Sequence, residues 1–150
     1  MQLNALASEL AAVVGNIDPD AYAASTVTTG WIDASKFQQY LAIVQAGDLG
    51  ASATLDAKLE QATDASGTGA KDVTGKAITQ LTQAGTDSNK QVVINLTPSQ
   101  HLDIDNGFDH FRLSMTVAVA ASDAGGIVLG LNARQGIASD SDATTVDEIK

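Results

Sequence analysis

The sequence predicts an all-β protein: an antiparallel β-sandwich, jelly-roll-like, with a short N-terminal helix or arm. Three observations predict it. The stretch Phe108–Ala120, FDHFRLSMTVAVA, places Phe111, Leu113, Met115, Val117 and Val119 on one side and His110, Arg112, Ser114 and Thr116 on the other. A period of two is that of a strand with one face in a core. Further strand-like stretches follow one another closely, separated by Gly, Asn, Asp and Ser turns, which is the pattern of a sandwich or barrel. Only one segment, at the N-terminus, reads clearly as a helix.

That segment is MQLNALASELAAVVG. Leu3, Leu6, Leu10, Val13 and Val14 form a stripe at helical intervals, and Gly15 is a stop signal, so a helix over 3–14 is expected. It packs on its own domain or serves as an arm on a neighbour. Asp18-Pro19-Asp20 reads as a turn or a helix entry. Thr26 to Ile32 reads as a strand broken near Gly30, with Trp31 as a core or interface anchor. Phe37 to Ala46 is apolar on both faces and is expected at the centre of a sheet. Gly47 to Gly50 turns the chain.

Ala53 to Ala62 alternates over Leu55, Ala57 and Leu59 and is assigned to a strand, with a helical stripe over Leu55, Leu59 and Ala62 as the competing pattern. Thr63 to Gly75 is a long loop. Lys76–Gln83 and Gln91–Thr97 are expected to form a hairpin around Gly85 to Asn89. Leu102 and Ile104 suggest a short strand. Ile127 to Leu131 is expected to pair with the long strand across the Asp123 to Gly126 turn. The resulting division is an arm over 1–24, a sandwich over 25–132 and a solvated or partner-bound tail over 133–150.

A chain of 150 residues suffices for one domain with a core. Its apolar fraction of 44% leans on alanine, with one Trp, two Tyr and three Phe. Such a core is thin, so subunit contacts are expected to supply part of the stability. Net charge is −10, from 18 acids against 8 Lys plus Arg, which argues against a free-standing nucleic-acid binder. The charge serves solubility at high copy number or docking onto a basic surface. There is no cysteine, hence no disulfide or thiolate metal site. No apolar run is long enough for a transmembrane helix, and the N-terminus lacks the basic stretch of a secretion signal.

The search for chemistry finds little. Asp103, Asp105 and Asp109 with Asn106 offer hard oxygen ligands for calcium. An EF-hand loop needs glycine at the sixth position and glutamate at the twelfth. Counted from Asp103, Gly107 falls at the fifth; counted from Asp105, Thr116 stands where the glutamate would be. These acids are therefore expected to be solvated. His101 and His110 are too few for a zinc site. Neither is placed beside a nucleophile by a recognisable motif, although Ser99 and Ser114 lie near in sequence. GTGAKD lacks the spacing of a phosphate loop. Trp31, Tyr22 and Tyr40 are the aromatics with which a glycan binder could stack. No catalytic, cofactor-binding or metal-binding residue is assigned, no cofactor is expected, and the protein is not expected to be an enzyme.

Two segments, TLDAKLEQATDASGTGAKDVTGKAITQLTQAGTDSNKQ and LDIDNGFDHFRLSMTVAVAASDAGGIVLG, give the chain from Gly30 to Leu131 a texture that resembles small structural proteins of tailed bacteriophages. The resemblance implies a virion component without enzymatic activity. In particular it implies a capsid decoration (cement) protein, bound outside the head shell and stabilising neighbouring capsomers. Its implied partners are the major capsid protein and itself, as a cyclic homo-oligomer and specifically a trimer, with no direct nucleic-acid or membrane contact. Its implied location is the capsid surface, after assembly in the host bacterial cytoplasm. The alternatives are a head-tail connector, tail-tube or tail-completion protein, and a β-sandwich carbohydrate-binding module.

Overall fold

The computed structural model describes residues 4–150. A single helical turn, α1 (Ala7–Leu10), leads into β1 (Ala11–Tyr22). The chain continues through β2 (Ser25–Thr28), β3 (Ile32–Asp33), β4 (Phe37–Leu49), β5 (Thr54–Ala62), β6 (Lys71–Ala77), β7 (Leu81–Thr82) and β8 (Gln91–Leu96). A second helical turn, α2 (Pro98–His101), and a 3-10 turn (Ile104–Asn106) precede β9 (His110–Ala118) and β10 (Ser122–Ala133).

The strands form two antiparallel sheets. The first has the order β1-β10-β4-β8; the second has the order β2-β9-β5-β6, with β3 also on β9 and β7 also on β5. Because β5 occupies one edge of β9, β2 and β3 share the other; β6 and β7 likewise share the free edge of β5. Both sheets are thus four strands wide. The chain changes sheet at every connection except β2 to β3 and β5 through β7. Two four-stranded sheets wound in this way are the jelly-roll form of the sandwich, and the predicted fold class holds.

The inner faces follow the period of two. β9 contributes Phe111, Leu113, Met115 and Val117, and β5 contributes Leu55, Ala57 and Leu59. Opposite them stand Tyr40, Ala42, Val44 and Ala46 of β4, Ile94 and Leu96 of β8, and Val128 of β10. Each large apolar side chain so buried contributes roughly 1.5–3 kcal/mol. Phe37 meets Tyr40 edge-on at 5.7 Å, and Tyr40 meets Phe111 at 4.7 Å, so three aromatics link the two sheets near one end of the sandwich. The Tyr40 hydroxyl donates to the Asp33 carbonyl at 2.9 Å, and burial pushes its pKa up to about 12.

Several sequence expectations are corrected. The helix expected over 3–14 is only Ala7–Leu10, and Leu3 lies outside the described residues. The helical stripe was a coincidence of strand and bulge. Val13 and Gly15 flank a register shift in the β1–β10 pairing, which moves Val14 out of the simple alternation. Asp18-Pro19 is neither turn nor helix entry but the second such shift, where a strand without a neighbour on its far side tolerates a proline. The division at 24 therefore fails, since Ala11 to Tyr22 pair with β10 from Leu131 to Ser122.

The expected hairpins fail too. β7 pairs with β5 and β8 with β4, in different sheets. Likewise β10 pairs with β1 and β4, not with β9. Strand β6 begins at Lys71, inside the stretch expected to be loop. Leu102 is buried but not in a strand, and Ile104 opens the 3-10 turn. Val119 leaves the core, 70% exposed at φ 75, because the chain swings there from one sheet to the other. Leu41 and Ile43 are only half-buried, so β4 is central within its sheet but covered on one face.

The tail over 133–150 is not simply solvated. Ala133 ends β10, and a 3-10 turn at Ala138–Ser141 buries Ala138 completely. The Val13 amide donates to Asp142 Oδ1 at 2.7 Å, and the Ala143 amide donates to the Val13 carbonyl at 2.6 Å. These bonds satisfy backbone groups on the outer edge of β1, one way in which an edge strand is protected.

Candidate functional site

The residues singled out for chemistry are held in separate local arrangements. Asp103 bonds Lys71 Nζ through Oδ2 at 2.6 Å and accepts from Asn106 Nδ2 through Oδ1 at 2.7 Å. Lys71 and Asn106 together hold the Asp103 carboxyl below the usual carboxylate range. Asp105 is exposed on the 3-10 turn, and Asp109 turns to its neighbour, with Oδ1 2.6 Å from His110 Nδ1. His101 Nδ1 accepts from the Thr97 amide at 2.9 Å across the α2 turn. Ser114 is buried on β9 opposite Lys58 and Thr28, and Ser99 is exposed in α2. Among the described residues no three carboxylates or imidazoles come together as a metal site.

Trp31 is half-buried between β2 and β3. The Arg112 guanidinium lies 4.4 Å from its ring centroid, a cation–π contact. On the indole nitrogen side stands Gly67, with φ 85; a Cβ there would lie 2.5 Å from Nε1. Trp31 thus pins the 63–70 loop to the sheet. A second cation–π pair sits nearby, with Lys71 Nζ 3.8 Å from the Phe108 ring centroid. Gln61 completes this end: its Oε1 accepts from the Asp103 amide at 2.8 Å.

The two outward faces of the sandwich are where the molecule meets its surroundings, and they differ sharply. The outer face of the β2-β9-β5-β6 sheet is a ladder of paired charges. Arg112 Nε bonds Glu60 at 2.7 Å, Lys58 Nζ reaches Glu60 at 3.3 Å and Asp72 at 2.6 Å. Its bond to Asp72 is the main reason that the Lys58 pKa is raised. Gln80 donates to Asp56 at 2.7 Å, and the Thr26 and Thr116 hydroxyls bond at 2.8 Å. Cross-strand pairs of this kind are worth a few tenths of a kcal/mol up to about 1 kcal/mol each.

The outer face of the β1-β10-β4-β8 sheet carries no charge in its middle. Register places Val13, Leu129, Leu41 and Asn95 in one row and Asn16, Ile127, Ile43 and Val93 in the next. Gln39, Gln45 and Gln91 flank them. The acidic residues of these strands, Asp18, Asp20, Asp48 and Asp123, all stand at the end where Tyr22, Ser122 and Leu49 align. Sequence reasoning missed this face. The signal was there, in the uncharged odd positions of 39–45, 91–95 and 127–131, but a strand's two faces are not assigned until its partners are known.

No family model matches the chain, and no curated protein matches it in sequence. Solved structures with a similar course of chain include a broad bean stain virus protein, at 12% identity, TM-score 0.48 and 88% of each chain covered. Another belongs to the empty cowpea mosaic virus-like particle, at 8% identity and TM-score 0.47, covering 91% of this chain and 89% of that one. A third is the carbohydrate-binding module TmCBM61 in complex with β-1,4-galactotriose, at 9% identity and TM-score 0.37, covering 73% of this chain and 66% of that one. At these values each is a likeness in fold and nothing more.

Proposed function

We propose that this chain is a structural component of a virus particle, a capsid decoration (cement) protein that lies on the head shell of a tailed phage and holds neighbouring capsomers together. The observation that carries the reading is the segregation of the two outer faces. A two-sheet block with one laddered, solvated face and one neutral, apolar face is suited to lie between other proteins. The bacteriophage-like texture of Thr54–Gln91 and Leu102–Gly130 points the same way. The excess of acid, −10 per chain, suits docking onto a basic patch of the major capsid protein and steers the encounter. Affinity then comes from many equivalent contacts over a symmetric shell.

Quantitative mass spectrometry of purified particles tests this. Hundreds of copies per particle are expected, whereas a ring-sized number at one vertex refutes the decoration role. The second reading, a head-tail or tail component, is favoured by the two long sheets if they stack end to end, and assembly of the isolated chain into rings or tubes would select it. A carbohydrate-binding role is disfavoured at Trp31, where one ring face is taken by Arg112 and Gly67 stands against the indole nitrogen.

A further inference from the structure

We propose that Asn106, followed by Gly107, is a self-modification site: it loses its side-chain amide through a cyclic imide, and the Asp103 carboxylate is the latch that sets the rate. The Gly107 nitrogen bonds to Asn106 Cγ and the Cγ–Nδ2 bond breaks. Ammonia leaves, taking up the proton that the Gly107 nitrogen gives up. Water then opens the imide at either carbonyl, giving aspartate or, with the backbone running through the side chain, isoaspartate. The chain holds six asparagines, Asn4, Asn16, Asn89, Asn95, Asn106 and Asn132, and only Asn106 precedes a glycine. The residues after the other five are Ala, Ile, Lys or Leu, whose Cβ crowds the attacking nitrogen and restricts the backbone rotation that the ring needs. Asn106 and Gly107 are both exposed, Gly107 has φ 83 and ψ 14, and a Cβ added to it would meet nothing within 4 Å. Water therefore reaches the site.

The closed turn withholds both reacting groups. The Gly107 amide donates to the Ile104 carbonyl at 2.9 Å, and Asn106 Nδ2 donates to Asp103 Oδ1 at 2.7 Å. Asp103 is itself fixed, since its amide donates to Gln61 Oε1 at 2.8 Å and its Oδ2 accepts from Lys71 Nζ at 2.6 Å. The turn must open before Gly107 can reach Cγ. Single hydrogen bonds on an exposed 3-10 turn open locally at low cost, and the Asp103 bond to the side chain is the one that holds the amide itself. Lys71 is the competing nucleophile, because its Nζ shares the Asp103 carboxylate with Asn106. It is an ammonium, paired with Asp103 and 3.8 Å from the Phe108 ring centroid, and in that form it has no lone pair with which to attack.

The product does not close in the same way. A carboxylate at 106 cannot donate to Asp103, so two like charges face each other where a hydrogen bond was. The chain gains one negative charge beyond its −10, beside the turn that leads into β9. The modification therefore loosens the turn that it occurs in and cannot be undone by refolding.

The site goes beyond the shell-binding reading and is independent of it, since the free chain carries every group involved. The full chain is incubated at mildly alkaline pH and physiological temperature, and digests taken at intervals are read by mass spectrometry with isoaspartate labelling. Conversion at Asn106 is expected ahead of the other five asparagines, with isoaspartate among the products. An intact Asn106 while another asparagine converts overturns the proposal. A lasting loss of ammonia with the Lys71 and Asn106 peptides joined overturns Gly107 as the nucleophile. Asp103→Ala removes the latch and is expected to speed the conversion about threefold or more, the effect of one exposed hydrogen bond on a local opening. Asp103→Asn keeps an oxygen acceptor for Asn106 and is expected to keep the parent rate. Equal acceleration in the two variants, or none in Asp103→Ala, refutes the latch. Asn106→Asp reproduces the product's charge, and the Gly107 and Phe108 amides should then exchange faster while those of β9 stay protected; unchanged exchange refutes the loosening of the turn.

Discussion

Gly130 is the position where the close fit between strand and core is most exposed to test. It lies on β10 facing the interior, and a Cβ built there would stand 2.5 Å from Phe37 Cδ2 and 2.7 Å from Cε2 and Cγ. Its backbone is not in the left-handed region, so alanine costs nothing in φ and the whole penalty is steric. Phe37 is 1% exposed and cannot swing away, because Tyr40 stands edge-on to it and Phe111 stands against Tyr40. Relief requires a backbone shift of β10 or an off-rotamer ring, and overpacking of that kind costs about 1–3 kcal/mol. With three ring atoms inside contact distance, Gly130→Ala is expected near the upper part of that range, about 2–3 kcal/mol. At roughly 2–4 °C per kcal/mol for a chain of this size, the melting temperature falls by about 4–12 °C. Urea titration should show a lower midpoint at an unchanged slope. Phe37→Leu removes the ring atoms that clash, so the double variant should be more stable than the sum of the singles by at least about 1 kcal/mol. A Gly130→Ala chain within about 0.5 kcal/mol of the parent, or strict additivity with Phe37→Leu, would show that the ring has room that the packing denies.

Three further outcomes follow from the same geometry. Gly67→Ala forces a side chain onto φ 85 and into the Trp31 indole, so it should cost about 1–3 kcal/mol and shift the fluorescence of the chain's one tryptophan; an unchanged spectrum refutes the pinning role of Trp31. Asp103 and Asp87 are held below their ordinary pKa, the first mainly by Lys71 and the second mainly by the Thr82 amide. Their contribution is present above the ordinary carboxylate value and is lost as pH falls through the depressed one, so melting temperature should drop on acidification below about pH 4 and Lys71→Met should flatten part of that drop. Asp142→Ala frees the Val13 amide on the edge of β1, and hydrogen exchange should quicken there while the β9 amides keep their protection.

Local alternation made much of the fold legible. Phe111, Leu113, Met115 and Val117 are where the period of two puts them, and Leu55, Ala57 and Leu59 settle the strand against the competing helical stripe. Gly30 does separate β2 from β3. The acids at 103, 105 and 109 formed no ligand set because each has its own surroundings: Asp103 is held by Lys71 and Asn106, Asp109 by His110, and Asp105 is exposed; of these partners only Lys71 is distant in sequence. The candidate surface was less legible still. Its rows join Val13, Leu129, Leu41 and Asn95 from four distant segments, and no segment alone shows which strands lie beside it.

The sequence by itself determined the strands β5 and β9, which side of each faces the core, and that the chain is strongly acidic. Those properties depend on neighbours two positions away and on composition. Only the tertiary structure decided which strands pair, because in this winding the chain crosses to the other sheet at most of its connections. The segments nearest in sequence, β7 and β8 or β9 and β10, are therefore kept apart, and the uncharged face is assembled from strands that never meet along the chain. Pairing across the sandwich is set by burying two apolar faces against each other at once, a condition no single segment contains.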